Sequence, residues 1–400
     1  MVSKNQQQAI RQEEKVCAHN YKPLSVVLAR GRGAWLWDVD GNKYLDMMSA
    51  YSAVSHGHSH PRMMEALAEQ SRRLAIPSRA FYNDRLGPFL EKVCALSGLD
   101  MALPMNTGAE AVETAIKAAR RWGYEVKGIP QDKAEIVVAE NNFHGRTTTI
   151  VGFSTSQTAR KDFGPFSPGF TQIPFGDADA LEKVISPNTC AFLVEPIQGE
   201  AGIIVPPEGW LKKVRDICTK NNVLLILDEI QSGLGRTGKM FAYEHEGIKP
   251  DGLILGKALG GGMMPVSCLV GRKDMMALFS PGSHGSTFGG NPLAAAVGLE
   301  ALNVLEQEEL VARSAELGTY LMEKLAALKT PLFTNIRGRG LWVGVDVDTS
   351  KISGHGLCER LLERGVLAKE TQESTIRFAP PLVITRDEID WAIGQLETCL

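Results

Sequence analysis

The stretch VLLILDEIQSGLGRTG (223–238) decides the fold, because it starts as an apolar run and ends in a polar, glycine-rich turn. Its first five residues are all aliphatic and lead directly to Asp228. A short apolar run bounded by turn residues is typical of a strand that is buried on both faces of a sheet. The Asp228 carboxylate therefore falls where a buried strand ends.

Similar runs lie on both sides of this stretch: AEIVVAE (134–140), CAFLVEP (190–196) and GLILGK (252–257). Helical segments such as GWLKKVRDICTKNN (209–222) separate them. Strands that alternate with helices indicate an α/β fold with a mostly parallel sheet.

Three of the predicted strands lead into an ionisable residue, namely Glu195, Asp228 and Lys257. Their spacing of about 30 residues matches one strand–helix–strand unit. Because open α/β sheets bind ligands at the carboxyl ends of their strands, we expect these three side chains to meet at a ligand site.

The two ends of the chain have a different pattern. WLWDVDGNKYLDMM (35–48) alternates around Asp40-Gly41 and predicts an antiparallel hairpin. After Asn291 a long helical stretch leads to IRGRGLWVGVDVD (336–348) and STIRFAPPLVI (374–384), which resemble strands of an α+β lobe. We predict a small domain built from both chain ends around a large one, with these segments: 1–50 and 291–400 in the small domain and 51–290 in the large domain.

Composition restricts the class of partner. The 400 residues include 43 basic and 46 acidic side chains, and the net charge of −3 is too small to attract nucleic acid or an anionic membrane. The seven cysteines are odd in number, and the N-terminal segment MVSKNQQQAIRQEEKV lacks the features of a signal or transit peptide. We expect a cytoplasmic protein that binds small molecules.

Two motifs invite other interpretations. GLGRTGK (233–239) resembles nucleotide-binding loops, but no long helix with an acidic partner follows, and Met240 replaces the hydroxyl of a P-loop. A non-enzymatic nucleotide-binding protein is the alternative from another class. The histidines of SHGHSHP (55–61) have no cysteine or carboxylate beside them, so we expect no metal site.

Lys257 follows an apolar strand and precedes a glycine-rich turn in LILGKALGGGMMP (253–265). Loss of hydration would favour its free amine, which can form a Schiff base with a carbonyl. A lysine whose ammonium reaches solvent fits this segment equally well. Asp228 favours the first interpretation, because a buried carboxylate needs a cationic partner and the protonated ring nitrogen of pyridoxal phosphate is one.

The phosphate of such a cofactor also needs a binding site. In MNTGAEAVETAIKAARRW (105–122), Thr107 and Gly108 precede a strong helix, whose first N–H groups would face an anion. An ordinary capped helix without a ligand has the same pattern.

The chain resembles the class III, fold-type I pyridoxal-phosphate aminotransferases, and within them the ornithine branch, over nearly its whole length. Besides the stretches above, the resemblance rests on these motifs: NYKPLSVVLARGRGAWLWDVDG (20–41), SAYSAVSHGHSHP (49–61), NNFHGRTTT (141–149), LVEPIQGEAGI (193–203) and HGSTFGGNPLA (284–294). It implies a mixed, mostly parallel seven-stranded sheet in the large domain and a small α+β domain from both chain ends.

The resemblance also implies a set of residues for pyridoxal 5'-phosphate. Lys257 would be the Schiff-base lysine and proton shuttle, and Asp228 would pair with the pyridine nitrogen. The other implied cofactor contacts are Gln231 to the phenolic oxygen, Phe143 on the ring face, and Thr107, Gly108 and Ala109 at the phosphate. Thr287 would reach the phosphate bound in a neighbouring subunit, which implies a homodimer with shared active sites.

Five further positions would bind substrate by the same resemblance. Tyr21 and Arg146 would hold the α-amino and α-carboxylate end of ornithine, and Tyr51 would distinguish ornithine from acetylornithine enzymes. Arg377 would bind the α-carboxylate of 2-oxoglutarate or glutamate. Glu200 would pair with Arg377 while ornithine is bound, and we call this pair the gate.

The implied reaction is ping-pong transfer of the ornithine δ-amino group to 2-oxoglutarate, which yields glutamate 5-semialdehyde and glutamate. The alternative is a class III enzyme acting on acetylornithine or another ω-amine. One departure bears on this choice: His144 stands where animal enzymes of the ornithine branch have tryptophan. Ala109 stands where they have valine, a change that we expect to alter little because backbone groups would hold the phosphate.

Overall fold

The computed structural model describes residues 3–400, so the first two residues of the predicted N-terminal segment lie outside the described residues. The strands, numbered in chain order, are β1 (Leu28–Arg32), β2 (Trp35–Asp38), β3 (Lys43–Asp46), β4 (Met101–Met105), β5 (Glu135–Ala139), β6 (Phe170–Ile173), β7 (Thr189–Val194), β8 (Leu224–Asp228), β9 (Gly252–Leu255), β10 (Ser267–Gly271), β11 (Phe333–Gly338), β12 (Val343–Val347), β13 (Val366–Leu367), β14 (Lys369–Thr371) and β15 (Thr375–Phe378).

The helices are α1 (Lys4–Glu14), α2 (Ser49–Ser52), α3 (Pro61–Arg73), α4 (Leu86–Ser97), α5 (Gly108–Glu125), α6 (Thr148–Gly152), α7 (Gln157–Arg160), α8 (Ala178–Val184), α9 (Trp210–Lys220), α10 (Lys273–Met276), α11 (Pro292–Gln307), α12 (Leu310–Ala327), α13 (Gly354–Glu363) and α14 (Arg386–Glu397). Two 3-10 helices span Ala242–Glu246 and Lys257–Gly260.

A seven-stranded sheet with the order β4-β10-β9-β8-β7-β5-β6 lies at the centre of the fold. Strand β10 is antiparallel to both of its neighbours, and the pairs from β9 to β6 are parallel. Strands β7, β8 and β9 are buried along their whole length, which explains their uninterrupted apolar sequences. The four strands predicted from the apolar runs are confirmed as β5, β7, β8 and β9.

The predicted hairpin is confirmed as β2 and β3, which pair antiparallel. Strand β3 pairs in parallel with β13, so that Leu45 lies beside Val366. A sheet with the order β1-β2-β3-β13 therefore joins both chain ends, and a further sheet, β11-β12-β15-β14, comes from the C-terminal part alone. The α+β lobe from both chain ends is thus present, while the boundaries of the three segments stay a prediction.

The long helical stretch after Asn291 is two helices, not one. The Asn291 side chain caps α11 by accepting a hydrogen bond from the Ala294 amide, and α11 ends at Gln307. Glu309 has a left-handed φ of 53°, which interrupts the helix before α12 begins.

The loop GLGRTG surrounds a buried arginine and packs against α12. Arg236 is fully buried, and a Cβ on Gly238 would lie 2.8 Å from the Cα of Ala315. The histidines of the SHGHSHP motif likewise have separate partners, because His58 contacts Asp46 while His60 contacts Glu308. Across residues 3–400, none of the helices has the length and apolarity that a bilayer span needs.

Candidate active site

A cavity of about 190 Å³ opens at the carboxyl ends of β7, β8 and β9. Asp228 is the last residue of β8, Glu195 directly follows β7, and Lys257 follows β9 by two residues. The parallel sheet therefore brings the three predicted strand-end residues together. We call this space the inner cavity, and its lining consists of Gly108, Ala109, Phe143, His144, Gly145, Glu195, Ile197, Asp228, Ile230, Gln231, Ser232 and Lys257.

Lys257 has the environment expected of a reactive amine. It starts a 3-10 helix with a positive φ of 45°, a conformation that turns the chain away from the strand. Burial lowers the pKa of Lys257 to about 8, although the nearby carboxylates of Glu200 and Asp228 oppose this shift. About a tenth of the amine is therefore unprotonated at pH 7, far more than for an ordinary lysine.

Asp228 is bonded to a histidine that the sequence did not place among the site residues. Its Oδ2 accepts a hydrogen bond from Nδ1 of His144 at 2.6 Å, and its Oδ1 accepts one from the Ile230 amide at 3.1 Å. Burial acts to lower the pKa of His144, but the hydrogen bond and charge of Asp228 outweigh it and raise that pKa. The pair places the Asp228 carboxyl group, hydrogen-bonded to His144, at the inner cavity.

One sequence signal could have identified His144. It directly follows Phe143, for which the resemblance implied a cofactor contact, and a buried carboxylate such as Asp228 requires a hydrogen-bond donor. Nε2 of His144 is buried without a protein partner. The histidine therefore has hydrogen-bonding capacity beyond its contact with Asp228.

Glu195 connects two loops at the edge of the sheet. Its carboxylate accepts hydrogen bonds from the Phe143 amide at 3.1 Å and the Gly199 amide at 3.4 Å. Burial raises the pKa of Glu195 to about 7, partly offset by the charge of His144. Glu195 therefore lies at the sheet edge and bonds to the residue that precedes Glu200.

The start of α5 forms one end of the inner cavity. Gly108 and Ala109 line it, whereas Thr107 is exposed and caps the helix in a capping box with Glu110. A Cβ on Gly108 would lie 2.7 Å from Cδ1 of Ile230, so a larger residue here would require the Ile230 side chain to move. The first N–H groups of a helix lack partners within it, and they can bind an anion here.

An outer cavity of about 290 Å³ adjoins the inner one and shares residues 143–145 with it. Arg146 and Glu200 contribute to its lining together with Thr371 and Gln372. The Arg146 guanidinium lies 5.5 Å from the centre of the Phe143 ring. Arg146 is thus at the approach to the inner cavity.

The two gate residues form an ion pair beside Lys257. NH1 of Arg377 lies 2.6 Å from Oε1 of Glu200, and Nε2 of Gln231 donates to the same oxygen at 3.4 Å. The Arg377 side chain is only 4% exposed, and its Nε is buried without a partner. A second carboxylate could therefore replace Glu200 at this guanidinium.

The ring of Tyr51 covers the same guanidinium, whose Cζ lies 4.6 Å from the ring centre. Residues 49–52 of α2 all have positive φ values, between 45° and 73°. Such a left-handed turn costs free energy for residues other than glycine. The fold therefore tolerates local strain where it places Tyr51 on Arg377.

Five predicted site residues line neither cavity: Thr107 caps α5, Arg377 bonds to Glu200 and Tyr51 packs on Arg377, which leaves Tyr21 and Thr287. Tyr21 is 73% exposed in the segment before β1. Thr287 is exposed in the loop before α11, although its neighbour Ser286 accepts a hydrogen bond from Asn106 beside the start of α5. Within a single subunit, the described chain does not bring either side chain into the site.

The fold and the site agree with a known family. The chain matches the family model of class-III aminotransferases over residues 16–400, and it belongs to that family. The protein is therefore a fold-type I enzyme, and the enzymes of this class depend on pyridoxal phosphate.

Individual relatives are similar over almost the whole chain. An ornithine aminotransferase of Brevibacillus brevis is 56% identical over 391 residues, covering 98% of this chain and 97% of that protein. The crystal structure of the Toxoplasma gondii ornithine aminotransferase matches with a TM-score of 0.97 at 45% identity. The match covers 99% of this chain and 95% of that chain. An acetylornithine aminotransferase of Elizabethkingia anophelis has a TM-score of 0.90 at 49% identity, with 99% of both chains covered.

Proposed function

We propose that the protein transfers the δ-amino group of L-ornithine to 2-oxoglutarate in a ping-pong cycle that yields L-glutamate 5-semialdehyde and L-glutamate. The observation that carries this proposal is the ion pair of Glu200 and Arg377 beside Lys257. A site that alternates between an ω-amine and an α-keto diacid needs a carboxylate-binding group that can be covered and uncovered. The ornithine aminotransferases among its relatives support the same substrate.

The residues of the inner cavity fit pyridoxal 5'-phosphate. The N–H groups at Gly108 and Ala109 would hold its phosphate, with Thr107 capping their helix, and Asp228 would hold the ring nitrogen. When bound, this cofactor supplies an aldehyde that condenses with amines and a ring that withdraws electrons. Phe143 would cover the ring face, and Gln231 would donate to the phenolic oxygen.

Lys257 is the residue that would hold the cofactor covalently and move protons at the reacting carbon. Its pKa of about 8 allows the amine to accept a proton and return it near neutral pH. Asp228, held in place by its hydrogen bond with His144, would pair with the protonated ring nitrogen. These roles need Asp228 and Lys257 close together, and the adjacent strands β8 and β9 place both at their carboxyl ends.

The gate would select which amine reaches Lys257. An uncovered Arg377 would bind the α-carboxylate of ornithine and bring the wrong amine to the reacting centre. Glu200 covers Arg377 while ornithine enters with its δ-amine first, and it rotates away when a diacid binds. Tyr51 packs on the guanidinium and would limit its position in both states.

The outer cavity and a second subunit would supply the remaining contacts. Arg146 and Tyr21 would bind the α-carboxylate and α-amino end of ornithine. Thr287 would contact the phosphate of the cofactor in a second subunit, which makes a homodimer the functional unit. Its exposure in the loop before α11 leaves the side chain available for such a contact.

An amino-donor panel on the cofactor-loaded enzyme tests the function. We expect ornithine to be used with a higher kcat/KM than N-acetylornithine or 4-aminobutyrate. The reverse order would replace the proposal with the acetylornithine or ω-amine alternative, which the similarity to the Elizabethkingia anophelis enzyme favours. Binding of ATP or NAD without any transamination would favour the nucleotide-binding alternative.

A further inference from the structure

The backbone around Glu200 is held from two directions. On one side, the Glu195 carboxylate accepts a hydrogen bond from the Gly199 amide at 3.4 Å. On the other side, the carbonyl oxygen of Glu200 accepts hydrogen bonds from the Thr371 hydroxyl at 2.5 Å and the Gln372 amide at 3.1 Å. The main chain at the gate is therefore fixed by side chains of both lobes.

The next turn of the same loop is held by the C-terminal sheet as well. Arg337 of β11 donates from Nε and NH2 to the carbonyl oxygen of Gly202, at 2.9 Å and 2.6 Å. Gly202 has a φ of 115°, and a Cβ there would lie 2.8 Å from NH2 of Arg337. Only glycine permits this close contact, so the loop and the sheet fit one another at two neighbouring points.

The side chain of Glu200 is less constrained by hydrogen bonds than the backbone around it. Among residues 3–400, its carboxylate bonds only to the side chains of Arg377 and Gln231, which face the site, and the Glu200 side chain is 29% exposed. Rotation about the side-chain bonds can therefore release Arg377 while the main chain stays in place.

We propose that Thr371 and Gln372 are specificity-determining positioning residues, which hold the Glu200 carbonyl so that the gate opens by rotation of one side chain alone. This inference rests on the proposed function, because a gate affects selectivity only where ω-amine and α-amine substrates share one site. A displaced backbone would let the Glu200 carboxylate drift from Arg377, and the α-carboxylate of a donor would then compete for the guanidinium.

The test compares a double variant with a matched control. Thr371→Val with Gln372→Leu removes both donors and nearly keeps the side-chain volumes. Thr334→Val is the control, because the Thr334 hydroxyl also donates to a carbonyl of this sheet, that of Asp346 at 3.3 Å, but away from the gate. Both are prepared as cofactor-loaded enzyme.

Amide hydrogen exchange over residues 199–203 gives a readout that does not depend on activity. We expect exchange in this segment to be faster by about threefold to tenfold in the double variant, the effect of losing one or two neutral hydrogen bonds. The control should match the unmodified enzyme. Unchanged exchange in the double variant would overturn the proposal.

Single-turnover half-reactions with ornithine and with glutamate give the second readout. The ratio of kcat/KM for ornithine to that for glutamate should fall by about threefold to tenfold in the double variant only. Faster exchange with an unchanged ratio, or the same fall in the control, would also overturn the inference. If the unmodified enzyme does not use ornithine, the proposed function fails, and the ratio is measured with the ω-amine that it does use.

Discussion

Asp228 and Glu229 are neighbours in the chain, yet their carboxylates lie in two different regions. Asp228 faces the inner cavity and bonds to His144. Glu229 does not line that cavity and is only 1% exposed. Its carboxylate accepts hydrogen bonds from the amides of Ala242 and Tyr243, at 2.6 Å and 2.9 Å. One carboxylate is available to a ligand, and the other is occupied by the protein's own backbone.

Two buried arginines differ in the same way. Arg236 donates to the carbonyl oxygens of Leu341 and Pro380 and to the hydroxyls of Ser49 and Ser55, none of which is charged. Arg377 has one charged partner, Glu200, whose side chain can rotate. Burial of a charge is therefore no sign of function by itself, and a partner that can be exchanged is the more informative feature.

Among variants of buried charged residues, we expect the largest loss of activity at Lys257. Lys257→Ala should reduce transamination by at least about 10⁴-fold, because it removes both the amine and the proton transfer. Lys273→Ala, an exposed lysine after β10, is the control and should keep full activity. Steady-state turnover of ornithine measures both, and activity in Lys257→Ala would refute the assigned role.

The neighbouring carboxylates provide the second test. Asp228→Asn should lower kcat by about 10²-fold to 10⁴-fold, since the ring nitrogen would lose its charged partner. Glu229→Gln should keep kcat within a few-fold and lower stability by about 1 kcal/mol through the loss of one hydrogen bond. Steady-state kinetics and thermal unfolding are measured for both variants. A large loss of kcat in Glu229→Gln, with little change in Asp228→Asn, would contradict the assigned difference between the two carboxylates.

The two arginines should separate stability from reactivity. Arg236→Met should destabilise the fold by about 3 kcal/mol or more, because it leaves four buried oxygens without their donor. Arg377→Met should lower kcat/KM for 2-oxoglutarate by about 10²-fold or more, with a smaller change in the unfolding midpoint. Equal loss of stability in both variants would contradict the distinction between the two sites.

A smaller effect is expected at the gate itself. Glu200→Ala should raise reactivity toward α-amino donors relative to ornithine by about tenfold to a hundredfold, because the charged partner of Arg377 is lost. Glu208→Ala, an exposed carboxylate beyond the same loop, is the matched control. No relative gain for glutamate or alanine in Glu200→Ala would remove the gate from the mechanism.

The smallest effect concerns the pH dependence of stability. Burial raises the pKa of Glu229 from 4.5 to about 8, so the folded protein binds this proton more tightly than the unfolded chain. The stabilisation of the folded state by this proton is fully present below about pH 4 and is lost as the pH rises to about 8. Thermal midpoints measured between pH 5 and 8 should fall, and they should fall less in Glu229→Gln. Glu195, with a pKa raised to about 7 by burial, adds to the same downward slope, whereas His56, with a pKa lowered to about 4 by burial, opposes it below about pH 6.5.

Much of the fold could be predicted from local sequence patterns. Four buried strands and the hairpin of β2 and β3 were identified because apolar runs and alternation depend only on neighbouring residues. The break between α11 and α12 was missed, since Glu309 adopts a left-handed φ without the glycine that usually marks it.

The site was predicted less completely than the fold. Lys257, Asp228 and Glu195 were placed at one edge because parallel strands end together. His144 was missed as a partner of Asp228: its place beside Phe143 indicates a residue near the cofactor, but the contact with Asp228 joins residues 84 positions apart and depends on the fold. Tyr21 and Thr287 lie outside both cavities of the single chain, and their roles remain predictions.

By itself, the sequence determined the strands, the strand-end residues and the resemblance to an aminotransferase family, because these follow from residue type and short-range spacing. Only the tertiary structure decided that His144 meets Asp228 across 84 residues and that Asp228 and Glu229 face different regions. Such pairings depend on how the lobes pack against the sheet, and packing joins residues that no local period connects.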